Sequence, residues 1–438
     1  MADRSKHLAR GLGMAIPALA LLLAAACKMS VQPAEEAGDG WCRMPLAAGD
    51  TATVLGAIDY NAGYNGLIAP VRKGERLVVR GRFPHARYAS FMVYDEKLMA
   101  VDGLTDLDLV PVSGVNPFLP GADRSGQNLG EFEVQVRMEA APAGQRPVNT
   151  LYAGLSHAGK PNHLMALAYR VYLPDQGLGF RDHHPLAVAG GVEAPRFKIF
   201  RGDGSSYCPN PLASRVRFGR LMLSILRANH DKLKDPARML GEPHSPPVWL
   251  NNASFETQRQ STYVVNDDTR YLATPVSIKF GELLVLRWKA ARTPEGTYLG
   301  RPFLADPEMR YWSISFNYLD PGRPLKVYGE KTVADVDAPT LPDGSRQIVI
   351  GFGGIPRPAA VPVEQWVSVR HAEGFLIMRN IRITPGYAGD FAKLAPGPIP
   401  LESDRFTPGG VYCSAAEFAH NPDLALGREQ LLKQPGKP

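Results

Sequence analysis

Beyond residue 27 the chain has no apolar run long enough to cross a bilayer as a helix, so no internal membrane span is expected. It has only 4 cysteines in 438 residues, and none stands in a C-x-x-C spacing, which argues against a cysteine metal site. It has no long blocks of like charge. A net charge of +6 is interspersed along the chain, whereas a nucleic-acid binder concentrates its basic residues on one face. It has no H-E-x-x-H pair, and residues 154–158 (Gly154, Leu155, Ser156, His157, Ala158) lack the second glycine of a nucleophile elbow. What the chain does have is 43 glycines and 39 prolines, the punctuation of many short strands joined by turns, so a mainly β fold is expected.

One stretch is used twice. Residues 74–80 run into residues 87–94, and residues 281–287 run into residues 310–316, with the same alternation of apolar and polar or small side chains. Period two places Ala89, Phe91 and Val93 on one face of a strand and Trp312, Ile314 and Phe316 on the matching face of another. Further segments follow in the same order: residues 64–71 with 270–276, in which Pro70 stands opposite Pro275; residues 133–136 with 347–350; Arg146 with Arg357; and residues 166–172 with 375–380. The order predicts an internal duplication giving two related antiparallel β-sandwich, jelly-roll-like domains. Their expected bounds are 40–201 and 249–390. Residues 202–248 are read as a helical linker, because Val216, Leu221, Met222, Ile225, Leu226 and Leu233 recur at helical spacing among arginines and lysines. That basic amphipathic helix would pack on its own protein or lie on an anionic membrane surface. Residues 391–438 form a C-terminal extension with a short helix expected at 414–420.

The amino terminus reads as an address. Arg4, Lys6 and Arg10 precede the apolar residues 14–26, so residues 1–26 are expected to be a signal peptide. Small residues lead into Cys27 as in the lipobox of bacterial lipoproteins, although Ala24 stands where leucine is usual. Lipidation of Cys27 would leave an acyl chain as the only anchor, with residues 27–39 as a tether and the protein facing the periplasm or the cell exterior. In that oxidising setting thiols tend to pair, and Cys42 with Cys208 would close the first domain at its two ends.

The Arg-Tyr-x-Ser motif in an aromatic strand, the run at residues 169–175 and the openings at Asn61 and Asn266 resemble uncharacterised bacterial exported proteins built on paired β-sandwich domains of unknown function. The resemblance covers most of residues 55–385. It implies a fold and a location in the cell envelope, and it brings no catalytic residue set with it. The second half departs from the first where Met378, Arg379, Asn380 and Ile381 replace Tyr169, Arg170, Val171 and Tyr172, so a site in one half need not be kept in the other.

Two constellations carry candidate chemistry. Arg87, Arg146 and Arg170 each recur in the second half, as Arg310, Arg357 and Arg379. Converging guanidinium groups, with Tyr88 and Tyr172 beside them, would take an anionic small molecule, a glycan or a lipid; in the structural reading the same arginines pair with Asp95, Asp102 or Asp106 inside a sandwich, and similarly with Asp320 or Asp335. His157, His163, Asp182, His183 and His184 form the second set, a shell that would suit zinc or iron, or else solvated loop histidines. Trp249, Trp288, Trp312 and Trp366 would serve a sugar-stacking platform or core packing. The expectation is a non-catalytic binding or scaffolding protein with no cofactor and no nucleic-acid partner, held to a membrane and able to meet other envelope proteins. The alternative is a metal-dependent hydrolase or oxygenase using the histidine cluster.

Overall fold

The computed structural model describes residues 40–48, 59–122, 130–174, 194–228, 241–251, 265–294, 307–319, 327–391, 394, 396–399 and 406–423. The expected signal peptide, Cys27 and the tether lie outside the described residues, as do Asp182, His183 and His184. The chain is mainly β, with 44% strand and few helices. Its first strands are β1 Cys42–Arg43, β2 Leu46–Ala48, β3 Ala62–Pro70, β4 Arg76–Arg82, β5 Ala86–Tyr94, β6 Ala100–Thr105, β7 Glu131–Arg137, β8 Thr150–Tyr152, β9 Leu164–Pro174, β10 Arg196–Phe200 and β11 Ser206–Tyr207. Helix α1, Pro211–Ala228, follows. Then come β12 Leu250–Asn251, β13 Thr269–Ser277, β14 Leu283–Trp288, β15 Met309–Leu319, β16 Val327–Ala334, β17 Arg346–Gly351, β18 Trp366–Ser368, β19 Glu373–Ile383, β20 Gly397–Pro398, β21 Gly409–Cys413 and helix α2, Ala415–His420.

Four sheets result. In the first half β1-β10-β4-β7-β8 forms one sheet and β2-β3-β9-β5-β6 the other; in the second half β18-β17-β14-β21 and β16-β15-β19-β13-β12-β20 do so. The pairings are antiparallel except for β7 with β8 and β17 with β18, a parallel pair at the same place in each half. The strand next to β3 is β9 and the strand next to β13 is β19, with Tyr64 opposite Arg170 and Tyr271 opposite Arg379. This register sets Pro70 in line with Ser277, not with Pro275, so the proline match read from sequence is two residues out. A slip of two keeps every side chain on its own face, and apolar alternation alone therefore does not detect it.

The core sits between the paired sheets. Leu77, Val79, Val134 and Val136 from one sheet meet Phe91, Val93, Leu167 and Val171 from the other in one cluster. Leu284, Leu286 and Ile348 likewise meet Trp312, Ile314 and Phe316. Covering such side chains contributes about 1.5–3 kcal/mol each before conformational entropy is counted. Helix α1 lies on the outer face of the first half, where Met222 joins Ile68, Met92 and Tyr94, and the Ser214 hydroxyl donates to the Ile68 carbonyl at 2.8 Å. Val216, expected on its apolar face, is 40% exposed. Cys42 and Cys208 form a disulfide across 166 residues, with Cα atoms 5.7 Å apart. Cys413 is free and buried. Among the described residues no helix is long and apolar enough to cross a membrane.

Candidate functional site

The two halves meet along a buried polar seam that absorbs most of the arginines and tyrosines picked out above. Arg87, on β5, is fully buried, and one of its terminal nitrogens, Nη1, contacts the Asp335 carboxylate of the other half. Arg310, on β15, reaches back to Asp106 Oδ2 at 3.4 Å. The exchange is reciprocal at the backbone too: Arg87 donates to the Arg310 carbonyl at 3.4 Å, and Arg310 donates to the Arg87 carbonyl at 3.3 Å. Pairing within a sandwich was one expectation; for these two arginines the partners are crossed. Burial raises the Asp106 pKa although Arg310 opposes it, and burial lowers that of Arg310 although Asp106 opposes it.

A second exchange uses tyrosines. Tyr311 and Ser313 donate to Asp59 Oδ2 at 2.8 and 2.6 Å, while Tyr88 donates to Asp268 at 2.9 Å and lies 3.2 Å from Asn266 Oδ1. Tyr172 stands among Tyr64, Tyr88 and Tyr311, with ring centroids 5.6–6.2 Å away. Arg170 is buried with its guanidinium 5.5 Å from the Tyr94 ring and 5.9 Å from that of Tyr64. Desolvation works against its charge, yet the oxygens of Tyr94, Tyr172, Tyr271 and Tyr64 offset this and its pKa is raised. Arg87, Tyr88, Arg170 and Tyr172 are therefore seam residues, 0–2% exposed, and not an open anion surface. A guanidinium beside aromatic residues in an alternating strand reads alike whether its face meets solvent or another sheet, which is why sequence left both readings open.

Arg146 is placed differently. It borders a cleft of about 440 Å³ at the edge of the first half, between β6 and β8, lined also by Tyr152, Leu155, Ser156 and His157. Asp102, on β6, accepts from Arg146 Nη1 at 2.8 and 3.0 Å and from the Tyr152 backbone N–H at 2.9 Å. The guanidinium carbon lies 5.3 Å from the Tyr152 ring centroid. The Arg146 side chain stays 46% exposed, and among the described residues its remaining nitrogens make no hydrogen bond. The carboxylate and the ring thus orient the fork while N–H donors stay available to a ligand.

His157 faces the same cleft. Its Nδ1 lies 2.5 Å from Asp95 Oδ2, and its backbone N–H donates to that oxygen at 3.1 Å. Asp95 closes the turn after β5, accepting from the N–H groups of Lys97 and Met99 at 2.9 and 3.0 Å. A carboxylate at Nδ1 favours the proton there and leaves Nε2 of the neutral ring as an acceptor. Asp95 was named in sequence only as a possible arginine partner; its turn position was the signal that it could hold a loop. His163 is exposed, and among the described residues no group of three metal-ligating side chains exists; the other members of the expected shell, Asp182, His183 and His184, lie outside the described residues.

The chain matches no protein-family profile and no curated protein. Among solved structures it is similar to an uncharacterized protein from Burkholderia cenocepacia, with 17% identity over 87% of this chain and 88% of that one and a TM-score of 0.50. It is also similar to the VPA0106 protein from Vibrio parahaemolyticus, with 10% identity over 81% and 90% of the two chains and a TM-score of 0.37. At this identity the Burkholderia likeness is one of fold, shared along most of both chains.

Proposed function

We propose that this chain is an exported, lipid-anchored envelope protein with a binding role, in which the cleft between β6 and β8 takes a small anionic ligand. The observation that carries the reading is Arg146: its guanidinium is held by Asp102 and stacked near Tyr152, yet remains about half exposed in a cleft it shares with His157. A fork fixed on one side and open on the other suits bidentate recognition of a carboxylate or phosphate.

The same reading takes the two halves as β-sandwich domains from an internal duplication. Nine strands recur in the same order and pairing, with a parallel pair at the same place. Each half also ends its long central strand on a non-glycine residue of positive φ, Leu173 at 43° and Arg382 at 50°. The N–H groups of those two residues donate to the carbonyls of Asn61 and Asp268. In that scheme the buried seam is scaffold, the clefts are the working surfaces, and α1 is the linker resting on the first domain. Export and anchoring rest on residues 1–27, and labelled palmitate incorporation that disappears in Cys27→Ala would support them.

The test of binding is isothermal titration of the lipid-free mature protein with small dicarboxylates and organic phosphates. Arg146→Ala should weaken binding by about tenfold or more, the usual effect of losing a charged hydrogen bond. Binding unchanged by that substitution, or no binding by either ligand class, would overturn the reading.

A further inference from the structure

The second half carries its own cleft at the corresponding edge, between β16 and β18, and its chemistry differs. It has a volume of about 350 Å³ and is walled by Tyr60 and Asn61 from the first half and by Lys331, Thr332, Glu364 and Trp366 from the second. Tyr60 is strapped across β16: its backbone N–H donates to Thr332 Oγ1 at 3.2 Å and its hydroxyl to the Gly329 carbonyl at 2.6 Å. Of the four tryptophans raised as a stacking platform, Trp249, Trp288 and Trp312 are core residues, 1–3% exposed. Trp366 alone of the four borders a cleft, half-buried, with its ring held against Gly351, where a Cβ would collide with it.

Three polar groups point to a ligand. Asn61 is 7% exposed and its backbone is fully engaged, the N–H with Asp59 and the carbonyl with Leu173, yet its side-chain amide nitrogen has no hydrogen-bond partner. A buried unmet donor costs about 1–3 kcal/mol unless something satisfies it. Lys331 and Glu364 are exposed at the rim and make no ion pair or hydrogen bond among the described residues. The lining also includes Glu330 and Asp337, so carboxylates outnumber the one lysine and an anion is disfavoured. Glu330 is already occupied by the Arg370 N–H and by His371 Nδ1 at 2.7 Å.

We infer that this cleft binds a neutral sugar ring. An indole fixed from behind offers its surface to the C–H face of a pyranose, while an amide N–H, an ammonium group, a hydroxyl and a carboxylate supply the mixed donors and acceptors that sugar hydroxyls need. The volume lies at the lower end of small-molecule sites, roughly 300–1,000 Å³, which suits one ring rather than a long chain. The cleft is separate from the Arg146 cleft, so either assignment stands or falls without the other.

The experiment is titration of the lipid-free mature protein with glucose, N-acetylglucosamine and galactose, each to about 10 mM, above the millimolar range of weak sites. Saturable binding is expected, weakened about tenfold or more in Trp366→Leu and several-fold in Glu364→Gln, and unchanged in Arg146→Ala. Glu364 is exposed, so its variant tests the site even if loss of the indole disturbs folding. A short oligosaccharide of the same sugar separates sources: equal or tighter binding marks the end of a glycan, weaker binding a free sugar. Absence of saturation with all three sugars would overturn the inference, as would binding lost in Arg146→Ala but retained in Glu364→Gln and Trp366→Leu.

Discussion

Replacing Asp335 by alanine should do more damage than any exposed charge substitution in the chain. Arg87 would keep its charge in a site where its side chain is 0% exposed, and it would lose its only carboxylate contact among the described residues. A guanidinium does not escape by giving up its proton, so the penalty falls on stability: breaking a buried pair from one side costs about 3–5 kcal/mol. Arg87→Met should cost less, because the stranded Asp335 carboxylate can neutralise by taking a proton. The double variant Arg87→Met/Asp335→Leu removes both charges and should cost clearly less than the sum of the singles, with a coupling of about 1–3 kcal/mol. Urea unfolding followed by far-UV circular dichroism and by tryptophan fluorescence measures all four corners of the cycle. Because the pair joins the halves, the two probes should coincide in the parent protein and separate in Asp335→Ala as the halves lose their coupling. A cost under about 1 kcal/mol for Asp335→Ala, the size of a surface ion pair, would refute the assignment of Arg87 as a buried seam residue.

Three further outcomes follow from local chemistry. Replacing Cys42 and Cys208 by serine opens a loop of 166 residues and should lower stability by about 2–5 kcal/mol in the same urea assay; no change would mean the bond does not constrain the unfolded chain. Cys413 is buried, and burial, helped by Glu417 and Glu282, pushes its thiol up to about 11, so iodoacetamide at pH 8 should leave it unmodified until the protein unfolds; rapid alkylation of folded protein would contradict this. Asp343 is held down to about 2, chiefly by the Ser345 hydroxyl, with the Ser345 N–H and Arg287 also favouring the charged form. A depressed carboxylate contributes stability that is present above its ordinary 3.8 and lost as pH falls through about 2. The effect should stay under about 1 kcal/mol because the side chain is 48% exposed and screened. Ser345→Ala should move the carboxyl toward its ordinary value in an NMR titration; an unmoved midpoint would rule out the hydroxyl as the cause.

The mainly β character was legible because strand alternation is a local property: Ala89, Phe91 and Val93 sit in the first core and Trp312, Ile314 and Phe316 in the second, as period two requires. The site was legible only in fragments. Arg87 and Arg146 are both arginines near aromatic residues, yet one is sealed in the seam and the other stands half exposed in a cleft. Arg87 is sealed because its strand face meets the other half, a contact between residues more than two hundred positions apart, such as Arg87 with Asp335, whereas Arg146 stands in the connection between β7 and β8. Period two specifies that a residue is on one face or the other; it does not say what covers the face.

The crossed pairs bear on how two similar halves acquire different surfaces. Arg87 takes Asp335 and Arg310 takes Asp106, while Tyr311 takes Asp59 and Tyr88 takes Asn266 and Asp268. A substitution at any of these positions strands a buried group in the opposite half, so the seam resists change on both sides at once. Tyr60 carries the exchange into the wall of the second cleft, through Thr332 and Gly329, but the charged groups at the cleft rims carry no such mutual constraint. Arg146 depends on Asp102 within its own half, and Lys331 and Glu364 at the rim of the other cleft have no partner among the described residues. Substitution at one rim can therefore alter one cleft without destabilising the other, which is how two halves of like strand order would come to hold an arginine fork at one edge and an indole wall at the other.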